Sequence, residues 1–444
     1  MIELTAEQID VIRQSAQKQG AQDSPVPLEL RQELLGPITD LVFVPHHQQR
    51  TLTDVYGQDQ NWFTNLNADW EAARQLGAVY MFSPDTITFP LHDLTDDGQP
   101  IVASIRRSSR PEGLPWYMAY VTHKHSKTYS NPANALWDWA FFPGGWETIL
   151  PPLADLALDE SWDFIEERGN SRKPYSILRS YLKYTFYKLQ SDGMVFEDED
   201  AQFAAFNTGL VNKTYEAIYA CFTANERGPQ PWIFQEFCYA GQSGAGKKLV
   251  STFNPLPPRA KYVKRLEDLV FDGTRRLDAD REHILLDNID RLPDAFLSEE
   301  LRGFNEASSF LENIYSTADR RARKDKFSDL AELIQNEPKY MRRLTNRLND
   351  AIELAQKRAQ WNYRTAVPAY YPTKGTMTLL LPLDLTDDER PDVALVSELM
   401  PTGVYVGHTI LTMRMAYNNA RLVSRPDSDW LNTGVKLFGG EYDE

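Results

Sequence analysis

The feature that most constrains the fold is a repeated change in the hydrophobic period along the chain. Between about residues 78 and 125, four short runs alternate apolar and polar residues and are separated by turns rich in Pro, Gly and Asp. From about 294 to 360, apolar residues recur at helical spacing, and the chain then returns to runs such as "TMTLLLPLDL". A period of two indicates strands and a period near 3.6 indicates helices. The sequence therefore predicts an α+β fold.

The same pattern predicts two domains. Residues 1–150 contain the helical stretch "TAEQIDVIRQSAQ" and the four short runs, which predict a helix plus a small antiparallel sheet or an oligonucleotide-binding (OB)-like barrel. Residues 151–444 predict a larger mixed domain of antiparallel strands and helices, with a helical insertion near 294–360. Three Trp between residues 130 and 160 indicate an aromatic-packed connection between the two domains.

Charge and cysteine usage bound the function. The net charge of -16 argues against a protein that holds nucleic acid by bulk electrostatics. We predict a cytoplasmic protein with no membrane association, because no apolar run approaches the roughly 20 residues that span a bilayer. Cys221 and Cys238 are the only cysteines and are expected to be buried thiols in a reducing compartment. The close His pairs at 46–47 and 123/125 lack further ligands at a regular spacing, so we predict no metal or other cofactor.

Local basic stretches modify this interpretation. Residues 171–189, "SRKPYSILRSYLKYTFYKL", interleave Lys and Arg with Tyr. Such a mixture could follow an RNA backbone and stack bases. The pattern fits better an amphipathic helix whose aromatic residues face the core and whose charges face water.

The segment from Gly241 to Lys247 has the spacing of a phosphate-binding loop. A working loop also needs a following helix and a Ser or Thr after the Lys, and Lys248 occupies that position. "KLVSTF" alternates like a strand before Pro255, so strand, glycine loop and strand is the simpler prediction.

Several polar clusters contain residue types that bind ligands. "FNTGL" combines an amide, a hydroxyl and a glycine at a predicted strand end, and His283 lies among polar residues of several types. Amides read base edges, aromatic rings stack bases and Arg binds phosphate, so clusters such as "MAYNNARL" suit RNA better than acyl transfer. The same residues equally suit buried polar groups that join strands. The candidate ligand-binding residues are Asn207, Thr208, Gly209, His283, Asn288, Arg291, Asn362, Tyr363, Tyr417, Asn418, Asn419 and Arg421.

From about residue 162 to 431 the chain resembles the bacterial family called domain of unknown function 3825. The resemblance rests on "ILRSYLKYTF", "FNTGL", "IYACFTAN", "HILLDNIDR", "NYRTAVPAYY", "LLLPLDL" and "TILTMRMAYNNARLVSRPDSDWL", in that order. Members of this family are often fused to RNA-associated modules, which implies a role in RNA binding or processing by association. The resemblance supplies no catalytic residues.

The preferred hypothesis is an RNA-binding or RNA-processing accessory protein that recognises single-stranded RNA, with Tyr417 and Arg421 in contact with it. One alternative is an enzyme acting on nucleotides or RNA ends, with His283 as acid or base and with Asn207 and Arg421 on phosphate. Another is a protein-interaction module in defence or stress response, which would present an exposed apolar patch to a protein partner.

Overall fold

The structure is a computed structural model, and its described residues form an α+β protein. The chain divides into two compact units, Met1–Thr128 with Tyr315–Asp329, and Tyr129–Ile314 with Leu330–Glu444. The sequence places the division near residue 150, whereas the first unit ends at residue 128 and includes a short segment of the helical insertion. The described residues are 4–18, 25–57, 60–83, 86–95, 98–108, 114–122, 132–165, 173–226, 228, 230–372, 374–386 and 390–434.

The first unit contains helices followed by a meander of strands. Its helices are α1 (Ala6–Lys18), α2 (Leu28–Glu33), α3 (His46–Tyr56) and α4 (Trp62–Gln75). Its strands are β1 (Val42–Phe43), β2 (Tyr80–Ser83), β3 (Thr86–Leu94), β4 (Pro100–Arg107) and β5 (Trp116–Val121). Strands β2 to β5 confirm the four predicted strands. The sheet has the order β1-β5-β4-β3-β2 and, among the described residues, is open with β1 and β2 at its edges rather than a closed barrel.

A buried carboxylate joins three elements of this unit. Asp69 on α4 accepts a hydrogen bond from the Tyr56 hydroxyl of α3 at 2.7 Å, and its other oxygen lies 2.7 Å from His92 Nδ1 on β3. Burial raises the pKa of Asp69, and the bonds from His92 and Tyr56 partly oppose that rise. Trp70 packs edge-on against Phe89 beside this group, so α4 is held to the sheet by both polar and apolar contacts.

The second unit contains two further sheets. The strands of the second sheet are β6 (Ala140–Phe141), β7 (Phe196–Asp198), β8 (Phe203–Val211), β9 (Ala217–Ala224) and β10 (Trp232–Tyr239). Those of the third sheet are β11 (Leu277–Ala279), β12 (Val367–Tyr371), β13 (Thr376–Leu383), β14 (Val393–Leu399) and β15 (Tyr405–Thr412). The remaining helices are α5 (Ala135–Trp139), α6 (Trp146–Leu156), α7 (Ser176–Ser191), α8 (Ala245–Thr252), α9 (Asp294–Glu300), α10 (Asn305–Tyr315), α11 (Arg320–Asn336), α12 (Pro338–Trp361) and α13 (Met413–Val423). Helix α11 begins in the segment that belongs to the first unit and ends in the second. Helices α9 to α12 confirm the predicted helical insertion.

The three sheets of the described chain share one strand order. In each sheet a short first strand pairs in parallel with the last of four consecutive antiparallel strands, giving β6-β10-β9-β8-β7 and β11-β15-β14-β13-β12 in the second unit. No repeat is evident in the sequence, so the recurrence is one of topology and not of residues.

Helices α7 and α13 pack against each other within the core of the second unit. Helix α7 contacts β8 and α13 contacts β12, so one continuous apolar core includes residues of both sheets, such as Phe206 and Leu380. Helix α8 covers the other face of the second sheet, where Leu249 packs with Phe203 and both cysteines. Helix α12 packs against β13 of the third sheet. The basic and aromatic stretch at 171–189 therefore forms a core helix over Ser176–Ser191, with most of its aromatic rings turned inward.

Candidate functional site

The "FNTGL" residues form an irregularity inside β8 rather than the end of a strand. The pairing of β8 with β9 shifts between Asn207 and Val211. Asn207 accepts a hydrogen bond from the Gly209 amide at 2.9 Å, and the Thr208 hydroxyl donates to the Ile218 carbonyl at 2.8 Å. Both side chains are buried. The polar groups of this motif are therefore used to hold the bulge.

Gly209 is required at this bulge for two reasons. Its φ of +75° is a conformation that side chains with a Cβ rarely adopt. A Cβ at this position would also lie 2.5 Å from the hydroxyl of Tyr181 on α7. The bulge therefore lets α7 approach the sheet closely.

Arg421 on α13 is 9% exposed and is fully engaged within the protein. Its Nε and one terminal nitrogen donate to the two carboxylate oxygens of Glu160 at 2.6 and 2.8 Å. The guanidinium carbon lies 4.6 Å from the Tyr181 ring centroid and 5.2 Å from that of Trp162. Burial alone would lower the pKa of Arg421, but the Glu160 contacts outweigh it and the net pKa is raised. The guanidinium that the sequence suggested for phosphate already has an internal acid.

The other candidates on α13 surround this ion pair. Tyr417 is buried edge-on against Phe164, and burial raises the pKa of Tyr417 to about 12. Asn418 and Asn419 are half-buried, and the Asn418 side-chain oxygen is buried without a hydrogen-bond donor in the described part of the chain. Direct stacking of an RNA base on Tyr417 would require this core to open.

His283, Asn288 and Arg291 form a separate group beside β15. His283 begins a π-helical turn, and its Nδ1 lies 2.9 Å from a carboxylate oxygen of Asp287. Asn288 donates to the His283 carbonyl at 2.8 Å, and Arg291 donates to the Ile410 carbonyl of β15 at 2.9 Å. These bonds fix the turn on the sheet and leave the imidazole partly accessible to solvent.

The third group lies at the surface where α12 ends. Trp361 is 93% exposed and Tyr363 is 61% exposed. Asn362, between them, accepts from the Arg364 amide at 3.1 Å. The backbone here is held in place, because Ser428 donates to the Arg364 carbonyl at 2.8 Å. Two aromatic rings therefore project from a fixed turn, and of these the sequence analysis identified Tyr363 but not Trp361.

The predicted residues thus do not form a single cluster. Gly209 and Arg421 are brought together through Tyr181, with Tyr417 packed nearby. His283, Asn288 and Arg291 contact one another or β15, and Asn362 with Tyr363 lies on the exposed turn. Only the last group presents most of its side-chain surface to solvent.

The glycine segment precedes a helix, which corrects the predicted strand–loop–strand arrangement. Helix α8 begins at Ala245, directly after Gly244, and continues through the "KLVST" residues to Thr252. The Ala245 amide donates to the Glu236 carboxylate of β10 at 2.7 Å. A helix N-terminus attracts an anion, and here the anion is an internal carboxylate. The glycine spacing therefore belongs to the start of α8, where the Glu236 carboxylate already occupies the position that a phosphate would take.

The aromatic residues around α5 and α6 form a cluster outside the candidate residues that the sequence suggests. The rings of Trp137, Phe142 and Trp146 are nearly parallel, with centroids 5.2 to 6.1 Å apart. On α7, the guanidinium carbon of Arg179 and the ammonium nitrogen of Lys183 each lie 5.9 Å from the Trp146 ring centroid. The three Trp at 130–160 and the basic stretch at 171–189 were the available signals, and the structure places them together.

A groove of about 310 Å³ on the third sheet has balanced charge. On one side Arg265 bonds to Asp268 at 3.0 Å. On the other side Glu398 contacts His408 at 3.1 Å, and this bond lowers the pKa of Glu398 despite its partial burial. The lining contains two cations, Lys264 and Arg265, and three acids, Glu267, Asp268 and Glu398, so the groove has no evident preference for an anionic ligand.

The described residues contain no group of three or more His, Cys, Asp and Glu side chains that could hold a metal ion. Cys221 and Cys238 are buried with their sulfur atoms 3.5 Å apart. Their mutual hydrogen bond, together with burial, raises the pKa of Cys221, and the same bond lowers the pKa of Cys238. His123 and His125 lie outside the described residues.

No helix in the described ranges is long and apolar enough to cross a membrane. Comparisons with curated proteins and with solved structures gave no match. A family model described as Domain of unknown function (DUF3825) matches residues 153–430, which include β7 to β15 and the buried Arg421–Glu160 pair. Because this match covers more than half of the 444 residues, the chain belongs to the DUF3825 family.

Proposed function

We propose that this protein binds single-stranded RNA and that the turn from Trp361 to Arg364, the aromatic turn, stacks its bases. The observation that carries the proposal is the exposure of Trp361 and Tyr363, two residues apart, on a backbone tied down by Ser428. Two exposed aromatic side chains this close in the chain provide neighbouring apolar surface, and contiguous exposed apolar surface marks interaction sites. Every base offers a flat face, so stacking on such rings is worth about 1–3 kcal/mol per base and tolerates any sequence.

The charges near the aromatic turn support binding dominated by stacking. Arg364 is exposed beside Tyr363, while Lys357 bonds to Glu353 at 2.6 Å and Arg358 contacts Asp384 at 3.4 Å. Among these three cations in the described chain, Arg364 is the one with no carboxylate within bonding distance. A single such cation makes few phosphate contacts, which agrees with the net charge of -16. The logarithm of affinity should therefore fall with the logarithm of salt concentration with a shallow slope, about -0.7 for each phosphate contacted.

A reducing cytoplasm is the compartment that fits this proposal. RNA is accessible there, and the two buried thiols, whose sulfur atoms lie 3.5 Å apart, would not be oxidised to a disulfide. The proposal does not require the protein to be an enzyme, since stacking and weak phosphate contacts are sufficient for binding.

The test is fluorescence anisotropy with a labelled single-stranded RNA of about twelve nucleotides that carries a 5′ hydroxyl. Trp361→Ala should weaken binding about 5- to 150-fold, the factor that corresponds to one lost stacking contact of about 1–3 kcal/mol. Tyr363→Ala should weaken it less, because Tyr363 is less exposed. The matched control is Tyr215→Ala, which removes an exposed ring from the turn between β8 and β9 and should leave affinity unchanged.

Trp361→Ala and Tyr363→Ala should both melt at the temperature of the parent protein, because the two rings make little contact with the core. Equal affinity of Trp361→Ala and the parent protein would refute the role of the aromatic turn. Absence of RNA binding by the parent protein would refute the function itself.

A further inference from the structure

Arg179 on α7 is a buried cation for which the described residues supply no acceptor. Its side chain is 8% exposed, and its Nε is buried without a hydrogen bond. No carboxylate lies within ion-pair distance of it in the described part of the chain. A buried guanidinium without a partner is costly, and buried charges are normally paired. The acceptor that would complete Arg179 must come from outside these residues.

Arg179 lies beside a second feature that favours an anion. Its guanidinium carbon is 5.9 Å from the ring centroid of Trp146, the first residue of α6. The preceding residues Gly144 and Gly145 have φ of +79° and +73°. The first amides of this eleven-residue helix have no acceptor within the helix, and they carry the positive end of its dipole.

Lys183 adds positive charge at the same place. It follows Arg179 by one turn of α7, and its ammonium nitrogen also lies 5.9 Å from the Trp146 centroid. Two cations therefore lie close to the indole ring of the residue that begins α6. This combination is typical of sites that recognise phosphate groups.

The aromatic residues next to these charges define the rest of the ligand. Trp137 stacks with Trp146 at 5.2 Å and with Phe142 at 5.3 Å, and it remains 37% exposed. A mainly apolar groove of about 400 Å³ runs between α6 and β10, and its lining includes Pro143 just before α6, Thr148 in the first turn of α6 and Glu236 on β10. A flat aromatic group attached to a phosphate would find stacking and apolar surface beside the cations.

Glu147 limits what this site can accept. It lies in the first turn of α6 and directs a carboxylate oxygen toward Gly145, 3.3 Å from where a Cβ would be. Asp138 on α5 is also exposed nearby in the chain. These acids weaken the site for a small free anion, so a ligand that adds stacking energy is favoured over inorganic phosphate.

We propose that Arg179, Lys183 and the N-terminal turn of α6 bind the phosphate of a nucleotide whose base stacks against Trp137. The ligand is either a free mononucleotide or the 5′-phosphorylated end of an RNA, since both present the same chemistry. The site is distinct from the aromatic turn of the proposed function and does not depend on it.

The experiment is isothermal titration calorimetry of the full chain with adenosine 5′-monophosphate, adenosine and inorganic phosphate as probes. The mononucleotide should bind at least tenfold more tightly than either adenosine or inorganic phosphate. Arg179→Met should weaken mononucleotide binding at least tenfold without lowering the melting temperature, because it removes a charge that nothing in the described chain neutralises. Arg265→Met, an exposed arginine on the balanced groove, is the matched control and should bind like the parent protein.

Two further variants test the rest of the site. Trp137→Ala should lower the affinity for the mononucleotide but should not change the weak binding of inorganic phosphate. Glu147→Gln should tighten mononucleotide binding several-fold, since it removes the competing carboxylate.

A 5′-phosphorylated RNA of ten nucleotides distinguishes the two sources. Measured in the Trp361→Ala variant, which removes the main stacking contact of the aromatic turn, tighter binding of this RNA than of the mononucleotide identifies an RNA end as the ligand, whereas equal affinity identifies a free nucleotide. Absence of mononucleotide binding, or equal binding by Arg179→Met, would overturn the proposal. Failure of the RNA-binding proposal is separable, because Trp361→Ala should leave mononucleotide binding unchanged and Arg179→Met should leave 5′-hydroxyl RNA binding unchanged.

Discussion

Arg421 and Arg179 lie in the same unit and are almost equally buried, but among the described residues an acid pairs with Arg421 and none pairs with Arg179. Arg421 is held by both oxygens of Glu160 and by two aromatic rings, whereas the contact of Arg179 within the described ranges is the ring of Trp146. Both belong to segments that carry the family resemblance. The difference shows that a shared motif can mark a residue that builds the domain, while burial without a partner marks one that is available to a ligand.

Two helix N-termini repeat this contrast. Helix α8 follows the phosphate-loop spacing, but its first amide is bonded to the Glu236 carboxylate. Helix α6 has no such spacing, yet its first turn lies beside two cations. In each comparison the sequence points to the group that bonds a carboxylate within the protein, namely Arg421 or the start of α8. Among the described residues, Arg179 and the start of α6 have no such carboxylate bonded to them.

The largest expected effect is at the Arg421–Glu160 pair. Arg421→Met should lower the free energy of unfolding by about 3–5 kcal/mol, because it leaves the Glu160 carboxylate buried and unpaired. The double variant Arg421→Met/Glu160→Leu should recover most of that loss. Urea unfolding followed by circular dichroism measures both. A loss below about 1 kcal/mol in the single variant would break the contrast with Arg179.

The next largest effect is at the bulge beneath Arg421. Gly209→Ala should lower stability by about 2–4 kcal/mol, since its positive φ and the Tyr181 hydroxyl both oppose a Cβ. Gly303→Ala is the matched control, because Gly303 has a similar φ of +86° with open space around it. Adding Tyr181→Phe to Gly209→Ala should reduce the loss of stability toward that of Gly303→Ala. Thermal melting of the parent protein, the two single glycine variants and the double variant measures this. A double variant that melts no higher than Gly209→Ala would contradict the role of the Tyr181 hydroxyl.

A smaller effect is expected at the start of α8. Glu236→Ala should destabilise the protein by about 1 kcal/mol, because the Ala245 amide loses its acceptor and the helix dipole loses a negative charge. Glu226→Ala removes an exposed carboxylate near the end of β9 and serves as the control. If both variants unfold at the same urea concentration, the carboxylate at α8 contributes nothing measurable.

The smallest effect is expected at Arg179. Arg179→Met should change the free energy of unfolding by no more than about 0.5 kcal/mol in either direction, because the aliphatic part of the side chain is kept and no hydrogen bond is lost. Urea unfolding beside Arg421→Met gives the comparison directly. A loss of more than about 2 kcal/mol would assign Arg179 a structural role like that of Arg421.

The longer elements were predictable from their period. Strands β2 to β5 and the helices between Asp294 and Trp361 follow the alternation of apolar residues, because local pattern and tertiary burial agree there. Helix α8 was predicted as a strand because "KLVSTF" alternates in polarity. Its start is fixed by Glu236, nine residues before Ala245, and that contact leaves no trace in a short polarity pattern.

The candidate site was less predictable for a different reason. Residue type points to groups whose chemistry suits a ligand, but it cannot tell which of them bond within the protein itself. Glu160 lies 261 residues from Arg421, so their pairing depends on the whole domain. The same limit hid Arg179, which is of interest because the described part of the chain places no acceptor at its Nε. Tyr363 was identifiable from residue type, because "NYR" places an amide, an aromatic ring and an Arg side by side in a motif that carries the family resemblance.

The shared strand order has a consequence for synthesis on the ribosome. The third sheet pairs β11 (Leu277–Ala279) with β15 (Tyr405–Thr412), so it cannot be completed until everything between them has been translated. Until then β14 presents an open hydrogen-bonding edge, and such edges recruit other chains. A nascent chain halted before Tyr405 is therefore expected to aggregate, and the last strand made in each sheet protects the strands made before it.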